Sequence, residues 1–291
     1  MRQTIGPEEL LALPLPFPPR PEQTAIAAFL DRETGKIDAL VEEQKRLIEL
    51  LKEKRQIVIS HAVTKGLDPN VPMKPAGVEW LGDVPEHWQV RSVGSISSVV
   101  RGASPRPAGD PRYFDGNDVP WVTVAEITRD EEEELWTTDS FLTKAGAEQS
   151  RIIPADTLIY SNSGATLGVP RILKVPACAN DGVVALQDLS DSVNIRFLFY
   201  FLKSITSAIR DKIRQGSGQP NLNTDIVRRI QFAMPPLAEQ EAILSSLDAS
   251  ASRHRALEQE AATAVGLLIE RRSALIFAAV TGQINVRNYK V

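Results

Sequence analysis

The chain carries one helical sequence twice, and that repeat limits what it can fold into. Residues 18–64 align without gaps on residues 235–281, and about 19 of the 47 aligned positions are identical. Pro18-Pro19-Arg20-Pro21-Glu22-Gln23 matches Pro235-Pro236-Leu237-Ala238-Glu239-Gln240. Leu30-Asp31 matches Leu247-Asp248, and Ala62-Val63-Thr64 matches Ala279-Val280-Thr281. Each double proline ends an extended segment and sets up a helix start. Glu22 and Glu239 then fall in the first turn, where a carboxylate suits the positive end of the dipole.

Both copies step by four and three. In the first, Ile26, Leu30, Glu33, Ile37, Leu40, Gln44, Leu47, Leu51, Lys54 and Val58 form an expected heptad seam. In the second, Ile243, Leu247, Ser250, His254, Leu257, Ala261, Ala264, Leu268, Arg271 and Leu275 are equivalent. Gly35 weakens the first helix and is a candidate kink. Helices like these can pack on a globular part. Two equivalent helices at the ends of one domain more naturally pair as an antiparallel coiled coil, within the chain or between chains. The interface residues expected on this reading are Ile26, Leu30, Ile37, Leu40, Leu47, Leu51, Leu247, Leu257, Leu268 and Leu275.

Between the helices the character changes. Val71–Pro75 reads as a linker by its prolines. Strands are expected at 89–93, 119–124, 157–160, 169–173 and 182–186, and an amphipathic helix at 195–214. A short helix is expected over 222–229, capped by Asn223 or Thr224. Three Gly-, Ser- and Pro-rich loops punctuate the insert: 101–111, 161–168 and 215–221. The fold class is therefore α/β: one domain with an irregular mixed sheet, flanked by two long antiparallel coiled-coil-like helices. The segments run 1–17, then the first helix 18–66, a linker and entry 67–88, the domain 89–234, and the second helix with its tail 235–291.

Composition narrows the function. The net charge is −4, which argues against a protein that coats DNA phosphates nonspecifically. It leaves room for a specific binder with a local basic face. Asp130–Glu134 reads as a solvated acidic run. The single cysteine, Cys178, excludes an internal disulfide and is expected to be a buried small side chain. No apolar run approaches the ~18 residues of a membrane span, and the first residues form no secretory signal. The expected location is the cytoplasm.

Five motifs then stand in order. Gly77-Val78-Glu79-Trp80-Leu81-Gly82-Asp83-Val84-Pro85-Glu86-His87-Trp88 is followed by Val119-Pro120-Trp121-Val122-Thr123, and then by Ser161-Asn162-Ser163-Gly164-Ala165-Thr166-Leu167-Gly168. Gly216-Ser217-Gly218-Gln219-Pro220-Asn221-Leu222 and Met234-Pro235-Pro236-Leu237-Ala238-Glu239-Gln240 close the series. In order and spacing they resemble the specificity subunit of type I restriction–modification systems. That family has two recognition domains separated by two helices, each domain reading half of an interrupted target. This chain resembles a half-length form, with Ile5-Gly6-Pro7-Glu8-Glu9-Leu10 resembling the tail of a preceding domain. It reads as a natural half-subunit or as the product of a split or truncated gene.

The resemblance implies a non-catalytic protein that binds double-stranded DNA. Its implied partners are methyltransferase subunits, the restriction–translocase subunit, and a second copy or another specificity fragment. S-adenosylmethionine and ATP would belong to those partners, and this chain is expected to hold no cofactor and no metal. The residues agree. Met234-Pro235-Pro236-Leu237 offers no polar group to a flipped adenine, and Ser163–Gly168 is neither a Walker loop nor a dinucleotide fingerprint. Glu43-Gln44-Lys45 imitates part of a nuclease motif but lies on the heptad helix. His61, His87 and His254 lack metal spacing. The alternative is a degenerate fragment that docks the methyltransferase without reading DNA. A third reading, an autonomous enzyme, lacks its motifs.

DNA contact needs Lys or Arg for phosphates, and Arg, Asn, Gln, Ser or Thr for base edges. The first loop supplies Arg101, Ser104, Arg106 and Arg112. The second supplies Ser161, Asn162, Ser163 and Thr166, with Arg171 after it. The third supplies Gln215, Ser217, Gln219 and Asn221. Arg214, Lys203, Arg210 and Lys212 on the preceding helix are secondary candidates. Arg228 and Arg229 are weaker ones.

Overall fold

A computed structural model describes residues 16–78, 80–164, 166–214 and 222–286, together with Gly6 and Glu8. It divides into two compact units, residues 55–251 and residues 1–54 with 252–291. Two helices run through both: α1 (Arg20–Lys65) and α8 (Leu237–Val280). Their starts are built alike, as the repeat requires. Gln23 donates its side-chain amide to Pro18 O at 2.8 Å, and Gln240 donates to Pro235 O at 2.9 Å. Both helices stop at a glycine in the left-handed region, Gly66 (φ +79°) and near Gly282 (φ +75°). Gly35 does not break α1, which is continuous across it.

The larger unit holds the sheets. Its strands are β1 (Met73–Pro75), β2 (Asp83–Pro85), β3 (Gln89–Ser92), β4 (Ser98–Arg101), β5 (Val119–Val122), β6 (Glu134–Leu135), β7 (Phe141–Leu142), β8 (Ile152–Ile153), β9 (Thr157–Ser161), β10 (Pro170–Leu173), β11 (Ala177–Ala179), β12 (Val183–Gln187) and β13 (Gln231–Met234). Its shorter helices are α2 (Val93–Ile96), α3 (Pro111–Phe114), α4 (Val124–Thr128), α5 (Lys144–Glu148), α6 (Ile195–Arg214) and α7 (Thr224–Arg229). A five-stranded sheet runs β4-β12-β9-β10-β6 and a four-stranded one runs β7-β5-β11-β8. The pairs β1-β2 and β13-β3 complete the set. Val71–Pro75, read as a linker, contributes strand β1 instead, because Met73 registers with Pro85 and Lys74 with Val84.

The central strands β9, β10 and β12 are buried almost throughout because both faces of the sheet are covered. On β9, Leu158 and Tyr160 face one core, and Ile159 faces another. On β12, Val184 and Leu186 join the first core while Val183 and Ala185 join the second. Helix α6 fills the first with Phe197, Phe201 and Leu202. Asn223 caps α7, its side chain accepting the Ile226 N–H at 2.9 Å. Cys178 is buried beside Trp121, Leu142 and Ala147.

The acidic run is tied into the fold, a correction to its reading as a solvated stretch. Arg171, 1% exposed, donates to Ile127 O at 3.0 Å, to Glu132 O and to the Asp130 carboxylate. Arg196 bridges Glu133 and Asp248, and the Tyr200 hydroxyl donates to Glu133 at 3.1 Å. Burial and the neighbouring Glu133 push the Tyr200 phenol up to about 12. Asp130, Glu131 and Glu132 of the run are exposed, and Glu133 and Glu134 are half-buried.

In the smaller unit the helices run antiparallel. Phe29, near the start of α1, packs with Ala279 at the end of α8 and with Val286, and Arg272 pairs with Asp38 at 2.8 Å. Ile26, Leu30 and Leu275 are half-buried around that cluster. The seam follows Ile37, Val41, Gln44, Ile48 and Leu51, so alternate positions lie one residue beyond the expected Leu40 and Leu47. The second copy shifts identically, with Glu258 in place of Leu257 and Arg272 in place of Arg271. Leu40, Leu47 and Leu257 remain exposed, and Leu268 is half-buried. Leu247 is corrected too: it is buried in the core of the larger unit and cannot face another subunit. Among the described residues, no helix is long and apolar enough to cross a membrane.

Two outcomes follow for stability. Arg171→Ala strands two carbonyls and empties a filled site, so urea denaturation should show a loss of about 2–4 kcal/mol. For Asp130, burial raises the carboxyl, but the Glu132 N–H and Arg171 outweigh it and hold the carboxyl below its ordinary value. A depressed carboxyl favours folding while ionised; that contribution is complete above the unfolded value of about 3.9 and is lost as pH falls through the folded one. The urea midpoint should therefore drop below about pH 4, and drop less in Asp130→Asn.

Candidate nucleic-acid interface

Strands β4, β9 and β12 bring three connections to one end of the five-stranded sheet. Arg101 at the end of β4 registers with Val184, and Ser161 at the end of β9 registers with Val183. The loop after β4, the loop after β9 and the turn before β12 therefore meet. Gly102 permits the approach: a Cβ there would lie 2.3 Å from Asn180 O. The start of β8 joins them, since Arg151 donates to Arg101 O at 2.8 Å and Ser150 to Ala103 O at 2.6 Å. Leu222 N donates to Asn162 O at 2.8 Å, which anchors the end of the third loop at the same edge.

Asp181 is the hub. Its carbonyl accepts from Arg101 Nε at 2.6 Å and from the Asn162 amide at 3.2 Å. Its N–H donates to Ser104 Oγ at 3.4 Å, and its carboxylate meets the Arg106 guanidinium at 3.3 Å. Asn180 shapes the turn by accepting the Gly182 N–H at 3.1 Å. Arg101, Arg106 and Arg151 are all exposed, and the Arg106 side chain retains 72% of its accessible surface. Three arginines thus share one sheet edge, and one of them, Arg106, is paired with a carboxylate, in a chain whose net charge is −4. The edge offers donors to phosphates and to guanine, and one acceptor.

Several expected contact residues belong to this edge. Arg101, Ser104 and Arg106 line it; Ser163 is half-buried beside Gly182, and Thr166 is exposed on the adjoining loop. Arg112 is exposed on α3, beyond the first loop, and is held by Asp110, which draws the Asp110 carboxyl down and the guanidinium up.

Three residues are corrected because they are buried. Ser161 donates to Thr166 O and accepts the Val169 N–H, which closes its own loop. Asn162 is buried and donates its amide to Asp181 O, and Arg171 holds the acidic run. Gln215, Ser217, Gln219 and Asn221 lie outside the described residues. On α6, Arg210 braces Leu167 O at 2.7 Å, and Lys203 sits over the Phe199 ring, where burial followed by Arg55 lowers its ammonium. Arg228 is held by Asp225 and Val99 O. Arg151 and Asp181 were not foreseen. Asn180-Asp181-Gly182 carries a turn signal, but no local pattern marks it as the meeting point of loops distant in sequence.

Comparison with known proteins fits this geometry. Residues 85–264 match the family model described as type I restriction modification DNA specificity domain. Two type I specificity subunits of Methanocaldococcus jannaschii are similar. MjaX is 24% identical over 251 residues, covering 85% of this chain and 55% of the relative. MjaVIII is 23% identical over 291 residues, covering 94% and 63%. The EcoKI specificity subunit of Escherichia coli is 25% identical over 214 residues, covering 70% and 44%. The chain thus spans 44–63% of the length of these relatives. Among solved structures, one chain from a study of type I R-M complex assembly and conformational transition aligns with a TM-score of 0.69 at 18% identity, covering 93% of this chain and 62% of its own. The HsdS subunit from Thermoanaerobacter tengcongensis aligns at 0.55 and 18% identity, covering 98% and 65%. These likenesses establish the shared fold. A family model spanning more than half the chain carries the assignment: the protein belongs to the type I restriction–modification DNA specificity family.

Proposed function

We propose that this chain is the recognition subunit of a type I restriction–modification complex and reads one half of a bipartite double-stranded DNA target. The observation that carries this is the convergence of Arg101, Arg106 and Arg151 on one sheet edge. Guanidiniums there can span a phosphate and reach a guanine edge bidentately. Methylation, ATP hydrolysis and cleavage fall to the methyltransferase and restriction–translocase partners, in the cytoplasm, and this chain contributes recognition.

The helices serve as the scaffold. Leu40, Leu47 and Leu50 on α1 and Leu257, Leu267, Ile269 and Phe277 on α8 stay exposed, although Phe29, Ile37 and Leu51 pack inward. On α1, Leu40, Leu47 and Leu50 share one side as an exposed apolar row that suits a partner helix. The occupants we propose are methyltransferase subunits and a second recognition chain, either another copy or a separate fragment. With two domains in place, the target becomes an interrupted pair of half-sites.

Two measurements test the reading. Arg106→Ala, in a complex with the methyltransferase, should weaken specific DNA binding by about 1–3 kcal/mol if the side chain reads a base. Arg151→Ala should lower affinity alike on all sequences and flatten the salt slope if its partner is a phosphate. Wild-type binding by both variants would remove the edge from the interface. Separately, Leu47→Lys with Leu257→Lys puts charge on the outer row and spares the intrachain seam. Sedimentation should then show loss of association with a partner while circular dichroism stays unchanged.

A further inference from the structure

We propose that Asp181 determines specificity by holding Arg106 back from DNA of the wrong sequence; this rests on the DNA-reading role proposed above. Asp181 makes four hydrogen bonds to the surrounding loops, and three of them use its main chain. Among the described residues, its carboxylate bonds Arg106 alone. That side chain is therefore not needed to hold the turn together. It opposes one of three arginines, and Arg106 has no other carboxylate partner among the described residues.

Every duplex presents phosphates, so three unopposed guanidiniums would bind any sequence. A carboxylate beside them acts as an internal competitor. Wrong DNA, which offers Arg106 a phosphate alone, must displace Asp181 and gains less by doing so. Correct DNA offers a bidentate base contact and outcompetes it. Asp181 does not add affinity; it lowers the part of the affinity that carries no sequence information. It is a positioning residue acting through Arg106.

The test uses the full chain and a short mixed-sequence duplex, with binding followed by fluorescence anisotropy across a salt series. Asp181→Asn keeps the main-chain hydrogen bonds and the side-chain size and removes the charge. It should bind the duplex more tightly by about tenfold at ~50 mM salt and about threefold at ~200 mM, as one added effective phosphate contact requires. The salt slope should steepen by about 0.9. Asp181→Glu, which keeps the charge, should stay near wild type. In an Arg106→Ala background the Asp181→Asn gain should vanish, which a change in overall charge alone would not produce. Wild-type affinity and slope in Asp181→Asn would overturn the inference, as would a gain that persists without Arg106. If the wild-type chain shows no salt-dependent binding to any duplex, the DNA-reading role fails and this inference with it. Specific binding by wild type with an unchanged Asp181→Asn would leave the role standing and sink the inference alone.

Discussion

The larger unit depends on the junction at Glu239-Gln240. Gln240 is fully buried and uses its amide completely: it accepts from Asn194 N at 2.8 Å and donates to Ser192 O and Pro235 O at 2.9 Å each. Glu239 accepts the Trp88 indole N–H at 3.1 Å and meets His87 at 2.8 Å. Trp88 is itself buried, edge-on to Phe197 of α6. One turn of helix thus joins the domain entry, the approach to α6 and the exit from β13. A buried polar group costs stability unless every site is matched, and here the matching spans three segments far apart in sequence. Asp248, two turns further along α8, extends the joint through Arg196 to Glu133.

The same economy governs charge. The chain is acidic overall, yet its acids are not spread evenly against its bases. Asp130, Glu133 and Glu134 are occupied by Arg171, Arg196 and Trp136, and Asp110 is occupied by Arg112. Arginines consumed in this way brace the fold. Those at the sheet edge are held mainly by carbonyls, which orient a guanidinium without neutralising it. Exposure separates the two sets most clearly: Arg171 is buried, whereas Arg101, Arg106 and Arg151 are exposed.

Much of the fold was legible because it depends on periodicity. The repeat announced two equivalent helices, and the runs at 157–160 and 182–186 announced strands. The two-residue strands β6, β7 and β8 carry too little pattern to be read. The heptad register was legible only to within one residue, since Leu40 and Val41 are both apolar and the choice falls to the facing helix. At the edge, Arg101, Ser104 and Arg106 could be picked out by residue type and loop composition. Arg171 and Asn162 look the same on those criteria and are buried; Arg151 and Asp181 lie outside the loops that composition marks.

The sequence by itself determined that this chain has two matched helices around one mixed domain, and its ordered motifs pointed to DNA specificity. Local propensity and spacing suffice for the helices and strands, because their periods act over neighbours along the chain; DNA specificity came from the resemblance of the motifs to a known family. Only the tertiary structure decided which polar residues became interior braces and which were left at the surface. Residues about 80 positions apart, such as Arg101 and Asp181, meet because β4 and β12 are antiparallel neighbours. That pairing is a property of the folded sheet, and no window along the chain contains it.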